Sequence, residues 1–143
     1  MFGYCVWYLL NKIHIYNNII KDYNNKLNLK IHPAHITRNY NLSKFDCVNE
    51  IVKTNYQDYY KFKPIDVVYQ ESKNNFHALQ LDLQTNINTK YHISLSYRTD
   101  RPYNEEEIKL ANEYDFKDID LTDYVLSVYD CDSTNSDDWT KES

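Results

Sequence analysis

The chain has 143 residues and a net charge of −5, with 42% hydrophobic and 26% charged residues. That balance describes one globular domain rather than a disordered chain, and the acidic surplus argues against a protein that tracks long nucleic acid, which needs a basic stripe. A single glycine, Gly3, excludes a P-loop and a dinucleotide-binding fingerprint, so any phosphate chemistry falls to side chains.

In chain order, Phe2–Leu10 is an apolar run that predicts a buried opening strand. It has neither a basic leading segment nor a small-residue cleavage site and does not read as a signal peptide. No run of eighteen apolar residues marks a membrane span. Over 11–27, Ile13, Tyr16, Ile20, Tyr23 and Leu27 recur every three or four positions, the period of a helix with one buried face. Pro33 cannot sit in a central strand, so a second strand is predicted over Ala34–Tyr40. Ser43, with Asp46 three positions on, caps a second helix whose buried face is Val48, Ile51 and Val52. IDVVYQ (65–70) and FHALQLDL (76–83) read as strands joined by a turn at Glu71–Asn75, and a further strand covers Tyr91–Tyr97. Asn104 caps a short helix with three glutamates in its first turn, where they complement the dipole. YVLSVYDC (124–131) is another strand, and the acidic tail reads as a turn followed by a short edge strand near Trp139. The order β α β α β β β α β β, rich in adjacent strands, predicts an α+β fold with antiparallel sheets, in two similar halves that each hold a helix and one histidine-bearing strand.

Cys5, Cys47 and Cys131 are odd in number and far apart. They form neither a zinc spacing nor a disulfide framework, which points to a reducing, cytoplasmic setting. Heavy use of Tyr, Asn, Ile and Lys matches AT-rich codons, as in a large DNA virus or a parasite; for a viral chain the setting is the host cytoplasm. Asp130, Asp132, Asp137 and Asp138 lack the glycine and terminal glutamate of a calcium loop and read as a solvated tail. His32 and His35 make an HxxH, but Pro33 breaks any helix that would align them and no third ligand is evident, so no metal is expected.

The chemistry lies in AHITRNY (34–40) and YHISLSY (91–97), each with a histidine two places before a hydroxyl residue. In a strand, residues i and i+2 share a face, about 7 Å apart along the backbone. His35 therefore projects with Thr37, and His92 with Ser94. By this composition, one His–aliphatic–Ser/Thr tripeptide is expected about 0.1 times by chance. Two imidazoles and two hydroxyls across a cleft suit phosphodiester hydrolysis. One histidine takes a proton from water and the other protonates the leaving oxygen. The hydroxyls donate to the phosphoryl oxygens as charge builds. No metal or cofactor is required. Arg38 and Arg98 are candidates for holding phosphate. His14, His32 and His77 lack a hydroxyl two places on.

The two motifs, HITR and HISL, resemble those of the two-histidine (2H) phosphoesterase superfamily, whose mark is H-Φ-[S/T]-Φ with Φ hydrophobic; Arg38 departs from the fourth position of the first. GYCVWYLL, the following helix, HPAHIT, and the closing VLSVYDCDSTNSDDW are similar to its cyclic phosphodiesterase branch. The resemblance implies two pseudo-symmetric lobes of antiparallel sheet around a central groove. It implies metal-free hydrolysis of small cyclic or 2′-linked phosphodiesters, with His35 and His92 as the acid–base pair and Thr37 and Ser94 on the phosphate. Tyr40 and Tyr97 are candidates to stack on a base. The expected partner is a small nucleotide, with no long nucleic acid and no membrane, and the expected state is monomeric. A viral source would make a host immune messenger the target. The rival expectation is a module that holds a nucleotide or RNA end without cutting it.

Overall fold

A computed structural model describes residues 2–53, 61–86, 90–132 and 139–142. The first strand, β1 (Tyr4–Leu10), is apolar at both parities, and the two parities serve two different cores. Val6, Tyr8 and Leu10 face the helices, whereas Cys5 and Trp7 pack with Tyr129 and Cys131 on the opposite face. Helix α1 (Ile15–Lys26) starts two residues later than Ile13, with His14 as N-cap: its Nδ1 accepts from the Tyr16 amide at 3.2 Å. Ile13, expected on the buried face, precedes the helix and is exposed. Tyr16, Ile19, Ile20 and Tyr23 form the face that is buried. The two tyrosine hydroxyls meet their needs by donating to the carbonyls of Lys117 and Glu107, each at 2.7 Å.

Strand β2 (His35–Leu42) begins just past Pro33, and α2 (Lys44–Lys53) follows directly. Ser43 caps α2 by accepting from the Asp46 amide at 3.1 Å. Val48 and Val52 are exposed, contrary to expectation; Cys47 and Ile51, four residues apart, turn toward Val6 and Val128 instead. The short β3 (Lys61–Pro64) precedes β4 (Tyr69–Lys73), which occupies most of the stretch read as a turn. After β5 (Phe76–Gln84) and β6 (Lys90–Arg98) comes α3 (Glu105–Ala111), where Asn104 and Glu107 form a reciprocal capping box. A two-residue β7 (Ile119–Asp120), a 3₁₀ turn (Leu121–Asp123), β8 (Tyr124–Asp130) and β9 (Thr140–Lys141) complete the described chain. Most of the predicted polar turn before Trp139, with Asp137 and Asp138, lies outside the described residues.

Every strand pairing among the described residues is antiparallel, in the order β7-β3-β5-β6-β2-β1-β8-β9. β4 shares with β3 the edge of β5 that faces away from β6. The fold is therefore α+β: among the described residues, an antiparallel sheet with three helices on one face. None of the described helices is long and apolar enough to cross a membrane.

Candidate active site

The opposite face of the sheet carries a cleft of about 330 Å³, within the size range of small-molecule sites. His35, Thr37, His92 and Ser94 all line it. The cause is one strand pairing. β2 meets β6 antiparallel with Ile36 opposite Ile93, and both isoleucines are fully buried on the helix side. Their neighbours must then point to the other face. Running antiparallel from that pair, His35 comes beside Ser94, and Thr37 beside His92. The two histidines are diagonal neighbours, a relation that sets backbones about 7–8 Å apart.

Strict alternation does not continue beyond the hydroxyls. Between Leu79/Gln80 and Ser96/Ser94 the β5–β6 register shifts, leaving Leu95 as an extra residue in β6. Leu95 and Ser96 both turn toward α1. There the buried Asn24 donates to the Leu95 carbonyl at 2.8 Å and accepts from the Ser96 hydroxyl at 2.7 Å. Past the bulge, Tyr97 lines the cleft and Arg98 turns away from it. β2 is bulged against β1 at the corresponding place, and Tyr40 lines the cleft there. Asn41 bends the strand at φ 59°, a conformation that asparagine tolerates well. Gly3, at φ 63°, lies so close that an added Cβ would stand 3.0 Å from the Asn41 Cα.

The arginines do not join the site. Arg38 donates to the Tyr8 hydroxyl at 3.0 Å and pairs with Glu50 of α2 at 3.5 Å. Arg98 is buried against Glu107 at 3.0 Å and Asp100 at 2.8 Å. Alternation from Thr37 sends Arg38 to the helix face; the bulge does the same to Arg98. Among the described residues lining the cleft, Lys73 of β4 is the only lysine or arginine, and Glu71 lies beside it.

The two imidazoles sit in unlike surroundings. His35 is almost fully buried, stacked on Trp7 with ring centroids 3.4 Å apart, and Trp7 stacks in turn on Tyr129 at 3.8 Å. Its Nδ1 lies 2.8 Å from the Pro33 carbonyl and must donate there, which leaves Nε2 as the lone-pair nitrogen. The Tyr97 hydroxyl is 3.3 Å from that Nε2, and Ser94 hydrogen-bonds Tyr97, so the second motif's hydroxyl reaches the first motif's histidine through one phenol. Burial holds His35 well below the usual imidazole range; His32 and His92 add to this, and the Pro33 bond opposes it. His92 is only half-buried. Burial also lowers it, against the pull of the Asp82 and Glu71 carboxylates. Tyr97 is raised by burial and stays a phenol.

Several lining residues escaped the sequence reading. Trp7 had no parity signal, because both faces of β1 are apolar. Phe76 and Trp139 join Tyr97, which the sequence did single out, at one end of the cleft, with centroids 5.4–6.0 Å apart. His32, read as one of three bland histidines, instead meets the Ser94 carbonyl through Nε2 at 2.9 Å and lies 5.8 Å from the His35 ring. Burial lowers it to about 4, so it stands neutral beside the pair. Among the described residues no group of three or more His, Cys, Asp or Glu side chains could hold a metal. No protein-family model matches the chain, and no curated protein matches it.

Proposed function

We propose that the chain is a metal-free phosphodiesterase of the two-histidine type, hydrolysing a small cyclic or 2′-linked nucleotide. The observation that carries this reading is the Ile36–Ile93 pairing, which turns both His–x–Ser/Thr couples into one cleft. An antiparallel pair has a local twofold axis between its partners. The axis through Ile36 and Ile93 relates His35 to His92, Thr37 to Ser94, and one bulged strand to the other. This supports two pseudo-symmetric lobes with the cleft as their central groove.

A phosphoryl group bridging the diagonal meets an imidazole at either end and a hydroxyl beside each. The imidazoles supply the two proton transfers of hydrolysis. Thr37, Ser94 and Lys73 donate to the non-bridging oxygens as negative charge accumulates. The Phe76–Tyr97–Trp139 wall offers flat apolar faces for a base, with Tyr40 at the mouth.

The test is a panel of nucleoside 2′,3′-cyclic phosphate, ADP-ribose 1″,2″-cyclic phosphate, 2′,5′-oligoadenylate and a cyclic dinucleotide. Turnover of at least one is expected, with His92→Ala lowering kcat by about 10²–10⁴-fold at an unchanged melting temperature. Folded protein that turns over none of them ends the hydrolase reading. Tight binding with the ligand recovered intact would make the cleft a nucleotide-holding module.

A further inference from the structure

We propose that the two imidazoles have fixed and different tasks: His35 takes the proton of the attacking water, and His92, with Asp82 as its positioning residue, protonates the leaving oxygen. The proposal rests on the hydrolase reading above and deepens it.

The geometry separates the two. Asp82 stands directly opposite His92 across the β5–β6 pair, where side chains are about 5 Å apart. Its carboxylate is held in place: the Tyr69 hydroxyl donates to it at 2.7 Å, and the Gln80 amide donates to that hydroxyl at 2.9 Å. The other charged or titratable groups acting on or coupled to His92 are Glu71 from β4 and His35 from β2, while Lys73 lines the same cleft from farther along β4. The two carboxylates oppose the burial that lowers His92, and so favour its imidazolium over that of His35.

His35 has the opposite company. The groups acting on it are His32, the Pro33 carbonyl and His92, and none is a carboxylate. From β6 the Tyr97 phenol faces it; Trp7 of β1 stacks on it and packs with Cys5 and with Cys131, just past β8. Because Nδ1 is committed to Pro33, the nitrogen left for chemistry is Nε2, and it carries a lone pair. Burial against Trp7 keeps the ring neutral.

The step balances as follows. The water oxygen bonds to phosphorus while its proton passes to His35 Nε2. The bond from phosphorus to the leaving ribose oxygen breaks as that oxygen takes a proton from His92. The pair ends with His35 protonated and His92 neutral, and proton exchange with solvent restores it.

Two measurements test this. The first needs no turnover: NMR titration of the imidazoles in the free chain and in Asp82→Asn. His92 is expected to titrate above His35, and Asp82→Asn to move the His92 midpoint down by about one pH unit while leaving His35 in place. Should Asp82→Asn fail to fold, Tyr69→Phe, which removes the hydroxyl holding the carboxylate, is expected to move the same midpoint and no other. The reverse titration order, or an unmoved His92, overturns the proposal even where hydrolysis is intact. The second compares a natural diester with a 4-nitrophenyl diester, whose leaving group needs no proton. His92→Ala is expected to lose about 10²–10⁴-fold on the first and under tenfold on the second, whereas His35→Gln loses equally on both. Rescue of His35→Gln by the nitrophenyl diester would mean that the roles are reversed.

Discussion

Thr37 is the simplest place to separate chemistry from packing, because valine has nearly its shape and no hydroxyl. On the proposed mechanism Thr37→Val lowers kcat by about 10²-fold through loss of one donor to the phosphoryl oxygens, and Thr37→Ser retains most activity. Steady-state kinetics with the substrate found in the panel decide it. Glu107 has the converse character, stability without chemistry. Its carboxylate takes bonds from Arg101 at 2.8 Å and Arg98 at 3.0 Å, together with the Asn104 amide at 2.9 Å. These contacts, Arg101 first, hold it down at about 2. Glu107→Gln is expected to cost about 3 kcal/mol in urea unfolding, because Arg98 is left buried with a weaker partner. The sign with pH follows from a folded value below the unfolded one of about 4.3. The stabilisation is complete above that value and disappears as pH falls from about 4.3 toward 2. The variant's acid-unfolding curve should flatten over that window.

Among the elements, β6 governs the site, and its bulge is its decisive feature. Asn24 satisfies the Leu95 carbonyl and the Ser96 hydroxyl from the middle of α1. Asn24→Ala therefore removes a partner from the Leu95 carbonyl and the acceptor of the Ser96 hydroxyl, which keeps only the bond it accepts from Tyr103 at 2.6 Å, at an expected cost of about 2 kcal/mol. It should also loosen Tyr97, seen as a fall in kcat/KM larger than any change at His92 explains. The bulge also marks the limit of what sequence conveys. Alternation sufficed for His35 with Thr37 and His92 with Ser94, since those pairs lie within an unbroken stretch of pleat. Arg98, like Arg38, is a candidate through its nearness to the motif; alternation past Ser94 would deliver it to the cleft too, but the bulge turns it away, and the bulge's partner is 71 positions off. Arg38 was placed by nearness in sequence, although parity alone sends it to the helix face. Periodicity misplaced Val48 and Val52 by one step around α2, where the small Cys47 takes the buried position. The antiparallel α+β class was legible from the many adjacent strands. β3 and β7 were not, being four and two residues long and lacking enough alternation to register.

For the whole molecule, the two lowered imidazoles make a prediction that neither makes alone. kcat/KM should follow a bell with its maximum below pH 6.5, since burial depresses both groups. Each limb belongs to the pair. A maximum above neutrality would contradict the buried setting of the pair. EDTA should leave the rate unchanged, because on the proposed mechanism both proton transfers and the charge stabilisation come from side chains; loss of activity restored by a divalent cation would count against the mechanism. The aromatic stacking carries one more consequence. The chain has two tryptophans, and both Trp7 and Trp139 line the cleft. Trp7 lies flat against His35, the ring that takes up the proton on the proposed mechanism. Fluorescence excited selectively through tryptophan, beyond the absorption of the 15 tyrosines, is thus a built-in optical reporter of the cleft. Emission that dims as an imidazolium forms, or shifts colour as a ligand displaces solvent, gives a label-free screen for what this cleft accepts.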